Sequence, residues 1–325
     1  MDLVGGCDYR HRRRGNHPEH RARRAGRRLT VARLARRFDA LPGPVRGVLW
    51  MVLQCVFFTG MSASVRWMSA TMEAYELVAF RGFFGLLFVA PLVLTRMPGA
   101  LLHTGHARLL VTRSVLTVAA TTVWFIGLGA MPVSDAIAIQ FTLPLFVVVG
   151  AGLFLGEQVG WRRWATVVIG FCGALIIIRP GIIPLGEGAL LVLLSALLYA
   201  SVHLMTKRLS GYMPPPVIVF YMNLIMLPLG LAFAWSGWVW PTWADMPWLL
   251  ALGFFSNAAH YCMTRAYHAA DASFAETVDF LRLPFAALLG WLMFRETSDV
   301  WTWVGACVIF AAVTCNTRFE ARRAS

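Results

Sequence analysis

Glu276, Asp279 and Arg282 fall at i, i+3 and i+6 in the stretch Ala270–Phe294, just ahead of Pro284. At 3.6 residues per helical turn, Glu276 neighbours Asp279, and Asp279 neighbours Arg282. The second half of the stretch is apolar enough to lie in lipid, where each ion costs about 2.5–3.5 kcal/mol at the bilayer centre. Three such groups cannot face hydrocarbon passively. They pair, or they border a wet cavity inside a bundle. Burial raises a carboxylate pKa, so Glu276 or Asp279 is a candidate proton carrier. The planar fork of Arg282 suits a solute carboxylate or phosphate. The blander reading makes Asp279 and Arg282 a structural ion pair, with Glu276 at a wet helix end.

Further polar groups sit in apolar runs. Arg81 is suited to snorkel, to pair with a carboxylate of the 276–282 set, or to bind an anion. Tyr199 and His203, at i and i+4, share a helical face. Asn257 and His260 occupy another run, and two histidines so placed are candidates for a proton relay. Gln140 is a candidate solute hydrogen-bonder, with helix–helix bonding as the alternative. Trp124 offers a ring to stack on, with core packing as the alternative. Asp135 reads as a helix-start residue and Glu76 as an entrance group. His103 and His106 are too few for a metal site. There is no GxxxxGK[ST] phosphate loop, which argues against ATP-driven work by this chain. The expected cofactor and metal are none.

The elements that must position these groups follow from composition. The 325 residues are 58% hydrophobic and only 14% charged, against about 25% charged in a soluble domain. Mean hydropathy is +0.64. Apolar runs near twenty residues recur from Gly47 onward. We expect an all-α polytopic membrane protein with ten spans, near 47–67, 75–95, 109–129, 133–155, 162–179, 187–208, 216–236, 247–267, 272–294 and 299–317. Residues 1–46 hold thirteen arginines against Asp2, Asp8, Glu19 and Asp39. Residues 1–28 lack apolar periodicity and are expected to be disordered. Apolar residues at Val31, Leu34, Phe38 and Leu41 suggest a short basic helix on anionic headgroups. This tail adjoins a span and obeys the positive-inside rule, so membrane lipid is its expected partner and nucleic acid is not. Inner loops would carry Arg96, Arg108, Arg162, Arg163, Lys207, Arg208 and Arg265, placing both termini in the cytoplasm. Tryptophans 235, 238, 240, 243 and 248 read as an interfacial belt. The six cysteines show no metal-like spacing and imply no disulfide framework.

A shift of 140 residues lays Ala130–Pro144 on Ala270–Pro284 without a gap. Leu143 then meets Leu283, Pro144 meets Pro284, Gly150 meets Gly290 and Phe154 meets Phe294. Two halves of five spans each must lie in opposite orientations, an inverted repeat. Pro144 and Pro284 are expected to kink spans four and nine, because proline removes a backbone donor. The expected units are a cytoplasmic tail 1–46, a first repeat 47–180, a second repeat 187–317 and a tail 318–325.

With these motifs the chain resembles the drug/metabolite transporter superfamily, as a ten-span protein with two EamA-type halves. The residues carrying the resemblance are Ala74–Arg81 (AYELVAFR), Phe141–Pro144 (FTLP), Leu155–Glu157 (LGE), Arg179–Gly181 (RPG), Leu283–Pro284 and Phe294–Glu296 (FRE). It covers about residues 47–317 and implies a central cavity between the halves. Its wording is similar to members that carry S-adenosylmethionine and riboflavin-type vitamins, and to metabolite exporters. Glu276, Asp279 and Arg282 depart from it, standing where such helices are commonly apolar or small.

The expectation is a secondary transporter moving a small polar metabolite across the inner membrane by alternating access, with proton coupling as an option and no enzymatic activity. A membrane-embedded enzyme acting on a lipid or lipid-linked substrate is the alternative, and no nucleophile motif accompanies it. A non-transporting scaffold is a third class. A homodimer is compatible with the sequence.

Overall fold

The computed structural model describes residues 38 and 40–324, apart from 69–70, 103–104, 130–138, 179–185, 236–237, 286–287, 289–291 and 293–299. The chain divides between Leu41 and Pro42. In the first unit, Leu41 N donates to Phe38 O at 3.1 Å. The expected disordered tail and all but the last residues of the expected basic helix lie outside the described residues, as does Asp135.

The second unit is helical. Its elements are α1 (Gly43–Met68), α2 (Ala74–Arg96), α3 (Pro98–Leu102), α4 (Ala107–Gly129), α5 (Leu143–Phe154), α6 (Trp161–Ile178), α7 (Glu187–Ser210), α8 (Pro215–Ala234), α9 (Met246–Ala269), α10 (Ala272–Asp279) and α11 (Val300–Ala324). Each expected span overlaps one of these, although α5 and α10 cover only part of 133–155 and 272–294, which run into residues outside the described set, and α3 is an extra turn in the loop after α2. Among the described residues, Gly43–Val65, Ala74–Arg96, Glu187–Ser210 and Pro215–Ala234 are long and apolar enough to cross a membrane by length and composition. Polarity is inverted relative to a soluble domain. Leu49, Leu53 and Val56 form an exposed stripe on α1, and Leu190, Leu193, Leu194 and Leu197 one on α7. Arg81, Arg113, Glu276 and Asp279 point inward and are buried. Lipid-facing apolar stripes with a polar interior are what a bilayer solvent selects.

Helix starts follow local chemistry. Glu73 and Glu76 form a capping box on α2. Glu76 Oε1 also accepts from Val239 N, so this acid ties the loop before α9 to the start of α2. Proline at the first turn starts α8 and α9. Ahead of α9, Asp245 accepts from Thr242 N and Oγ1 at 2.8 and 2.6 Å. The Thr242 hydroxyl and amide hold its carboxyl below the usual carboxylate range.

The packing has an exchange symmetry. Swapping α1 with α7, α2 with α8, α4 with α9, α5 with α10 and α6 with α11 turns the packed pair α1–α9 into α7–α4. It likewise turns α2–α9 into α8–α4, and α5–α7 into α10–α1. The pairs α2–α8, α5–α10 and α6–α11 map onto themselves. Small residues permit the close approaches. A Cβ on Gly82 would lie 2.9 Å from Leu227 N, and one on Gly230 would lie 2.8 Å from Ala79 N.

Candidate functional site

The two repeats meet where α5 and α10 are interrupted. Residues 141–142 form a turn before α5, and residues 280–281 form one after α10, followed by a helical segment at 282–285. Pro144 and Pro284, the expected kink positions, each lie within a few residues of one of these short breaks. The physical reason is local. Pro284 lacks an N–H, Leu283 N turns to Phe280 O at 3.2 Å, and Thr142 N turns to Ile139 O at 2.9 Å. The Asp279 carbonyl then faces the Cys55 thiol of α1, whose Sγ lies 3.9–4.0 Å from Val278 O, Asp279 O and Asp279 Oδ1. Phe141 and Phe280 stack across the paired breaks with centroids 5.8 Å apart.

Glu276 and Asp279 are buried at 0% and 1% exposure. They sit next to each other on α10 and take different partners. Asp279 Oδ2 is 3.2 Å from Arg282 Nη2. The Arg282 guanidinium lies over Phe58 at 4.5 Å and Phe141 at 5.3 Å, giving it two aromatic faces as well as its carboxylate. Glu276 Oε1 accepts from the Tyr267 hydroxyl and stands 3.0 Å from His203 Nδ1. Its Oε2 has no partner among the described residues. The expected Asp279–Arg282 neighbourhood is present, while Glu276 belongs to a histidine–tyrosine cluster.

One end of α10 is clamped. Glu157 accepts from Ala272 N, Ser273 N and Ser273 Oγ at 2.8, 3.0 and 2.6 Å, placing a carboxylate on the positive end of the helix. Arg163 donates to Ser273 Oγ at 2.8 Å and pairs with Asp271 at 2.9 Å and Glu320 at 3.0 Å. Lys207 Nζ donates to Tyr267 O and Ala270 O at 2.7 and 2.6 Å, closing the end of α9. A small cavity of about 170 Å³ opens here, lined by Pro44, Arg163, Asp271, Phe274 and Glu320 among others.

The remaining candidates divide. Arg81 Nε donates to Ser256 Oγ at 2.5 Å and Nη2 to His260 Nε2 at 2.7 Å. It thus takes neutral partners on α9, where a carboxylate of the 276–282 set was one expectation. Tyr199 bonds Thr121 at 2.8 Å and lies within electrostatic reach of both Arg81 and Arg282. Gln140 accepts from Ser195 at 3.0 Å. Asn257 donates to Gly85 O at 2.6 Å and accepts from Asn223 at 2.7 Å, stitching α2, α8 and α9. Gln140 and Asn257 thus take helix-joining contacts. Trp124 is half-buried in α4. Tyr267, Cys55 and Arg113 were missed in the sequence. Arg113, a charge within an apolar run like Arg81, carried a readable signal. Tyr267 and Cys55 carried none, because only the fold brings them to α10.

A bundle of two exchange-related five-helix sets, apolar outside and charged within, defines a polytopic membrane carrier. Residues 45–179 and 186–318 each match the EamA-like transporter family, and the chain belongs to that family. It is 37% identical over 282 residues to a protein of Rhizobium johnstonii named riboflavin transporter, covering 86% of this chain and 93% of that one. It is 26% identical to a protein of Rickettsia prowazekii named S-adenosylmethionine uptake transporter, covering 84% and 93%. A solved crystal structure with 15% sequence identity superposes with a TM-score of 0.75 over 85% of this chain and 98% of that one, which shows the fold. The protein is a multi-pass membrane transporter for small metabolites and not an enzyme.

Proposed function

We propose that the protein is a secondary carrier of the inner membrane, with both termini in the cytoplasm, and that it moves a polar, ring-bearing metabolite of the riboflavin kind. The units 47–180 and 187–317 rock about a central site by alternating access. The observation carrying this reading is the set of buried Glu276, Tyr267 and Asp279 with the partly buried His203 and Arg282, gathered where the two helix breaks face each other. The relatives' names support the solute class. In this reading Arg282, backed by Phe58 and Phe141, holds polar atoms of the solute. Glu276 takes up and releases a proton. Its carboxylate is buried and, among the described residues, is met by His203 and Tyr267 and by no lysine or arginine. The groups facing it are His203 on α7, Tyr267 on α9 and Asp279 on α10.

The test is uptake of labelled riboflavin into proteoliposomes holding the purified chain, with and without an acidic exterior. Saturable uptake that rises under the acid gradient is expected. Saturable uptake indifferent to the gradient removes the proton role of Glu276. Without riboflavin uptake, comparing cell and medium metabolites with and without the gene identifies the solute and overturns the riboflavin assignment.

A further inference from the structure

Arg113 lies in α4 at 0% exposure. Its Nε donates to Thr206 Oγ1 of α7 at 2.8 Å, and the Thr206 hydroxyl donates its own hydrogen bond to Val202 O at 2.7 Å. Nη1 and Nη2 of Arg113 are buried and have no partner among the described residues. A guanidinium carries five donors and no acceptor. Two of its strongest groups are thus left facing the interior.

Among the described residues, Arg81 has only the neutral partners Ser256 and His260 described above. Because guanidinium can only donate, His260 Nε2 must accept, which places the ring proton on Nδ1. That Nδ1 is also buried without a partner among the described residues. Arg81 and Arg113 lie within electrostatic reach of each other, and both lie within reach of His260. The carboxylates of this interior are already engaged, Asp279 by Arg282 and Glu276 by His203 and Tyr267. Among the described residues, two buried cations therefore lack a carboxylate, and three buried donor nitrogens lack an acceptor. Buried unpaired charge and unmade hydrogen bonds are both costly. One kind of ligand answers both: a small oxyanion.

We propose that Arg113, Arg81 and His260 form an oxyanion subsite that takes a carboxylate or phosphate group of a small solute. Nη1 and Nη2 of Arg113 offer the parallel pair of donors that such a group accepts. Nδ1–H of His260 adds a directional donor, and Arg81 adds charge. Arg81 and Arg113 come from α2 and α4, His260 from α9, so an anion held here joins the two repeats. The proposal goes beyond the riboflavin assignment, since riboflavin carries neither group, and rests on the carrier reading only for taking the bound group as part of a solute.

The experiment measures the thermal unfolding midpoint of the full chain in detergent, titrated with inorganic phosphate and with acetate. Chloride at matched ionic strength and pH is the control. A saturable rise with phosphate or acetate, absent with chloride, is expected. In Arg113→Gln the half-saturating concentration should rise about tenfold or more, as charge-assisted bonds are lost. Arg108→Gln removes an exposed charge from the same helix and should leave the response unchanged. An equal response in Arg113→Gln, or one that chloride reproduces, overturns the subsite. Should Arg113→Gln fail to fold, Arg113→Lys keeps the charge and loses the fork. A phosphate response in Arg113→Lys equal to the unaltered chain also overturns it. Phosphate binding in detergent without solute movement in proteoliposomes would remove the carrier reading and leave the anion site standing.

Discussion

Asp279 and Arg282 are an ion pair at a helix break, 3.2 Å apart, with the guanidinium covered by Phe58 and Phe141 of the first repeat. The pair belongs to the second repeat and its aromatic cover to the first. Motion of one repeat past the other must therefore uncover Arg282.

Asp279→Asn leaves Arg282 buried without its counter-charge, a change that costs up to about 3–5 kcal/mol for a buried pair. The variant should insert and lose more than about tenfold of its uptake activity. The exchange Asp279→Arg with Arg282→Asp should recover thermal stability and not uptake. Uptake recovered in the exchange would mark the pair as structural.

Glu276→Gln keeps the shape of the side chain and removes its proton chemistry. Solute exchange across proteoliposomes should persist, and accumulation driven by a pH gradient should vanish. With Glu276 as the carrier, accumulation in the unaltered chain is largest when the solute side is acidic. Gradient-driven accumulation by Glu276→Gln would take the proton off this residue. Tyr267→Phe removes the hydroxyl that serves Glu276 and should lower stability by about 1–3 kcal/mol, read as a lower unfolding midpoint.

Arg163→Ala releases Ser273, Asp271 and Glu320 together. A cysteine placed at Ala270, in a chain cleared of its own cysteines, should then react several-fold faster with a soluble maleimide. Unchanged labelling would show that the Glu157 and Lys207 caps close this end by themselves.

Much of the architecture was legible in the amino-acid order. Apolar runs near twenty residues marked the spans, and the 140-residue shift marked the repeat, because the bilayer demands long apolar helices and two odd-numbered halves must invert. Of the site, Glu276, Asp279 and Arg282 were legible because charge in an apolar run is rare. Partnerships were not. His203 meets Glu276 across 73 positions, and Cys55 meets Asp279 across 224. Which partners Gln140 and Asn257 take was likewise not legible: Gln140 meets Ser195, and Asn257 meets Gly85 and Asn223, since a buried amide bonds whichever backbone or polar group packs nearest. Arg163 and Lys207 were read as topology signals, yet their long side chains also cap α9 and hold α10.

Gly82→Val should strike the Leu227 backbone, which cannot yield as a side chain can. A loss of about 1–3 kcal/mol is expected, with less protein inserted. Gly160→Ala, where an added Cβ meets nothing within 4 Å, is the control and should stay within about 0.5 kcal/mol.

The glycine-lined contact of α2 with α8 reaches beyond stability. Like α5–α10 and α6–α11, this pair maps onto itself when the repeats are exchanged, and it differs from them in a glycine on each helix facing the other helix's backbone, with no room for a Cβ. In the proposed rocking motion, this glycine-lined pair is the expected fulcrum. Covalent staples between α2 and α8 should leave turnover intact, whereas staples between α5 and α10 should freeze it.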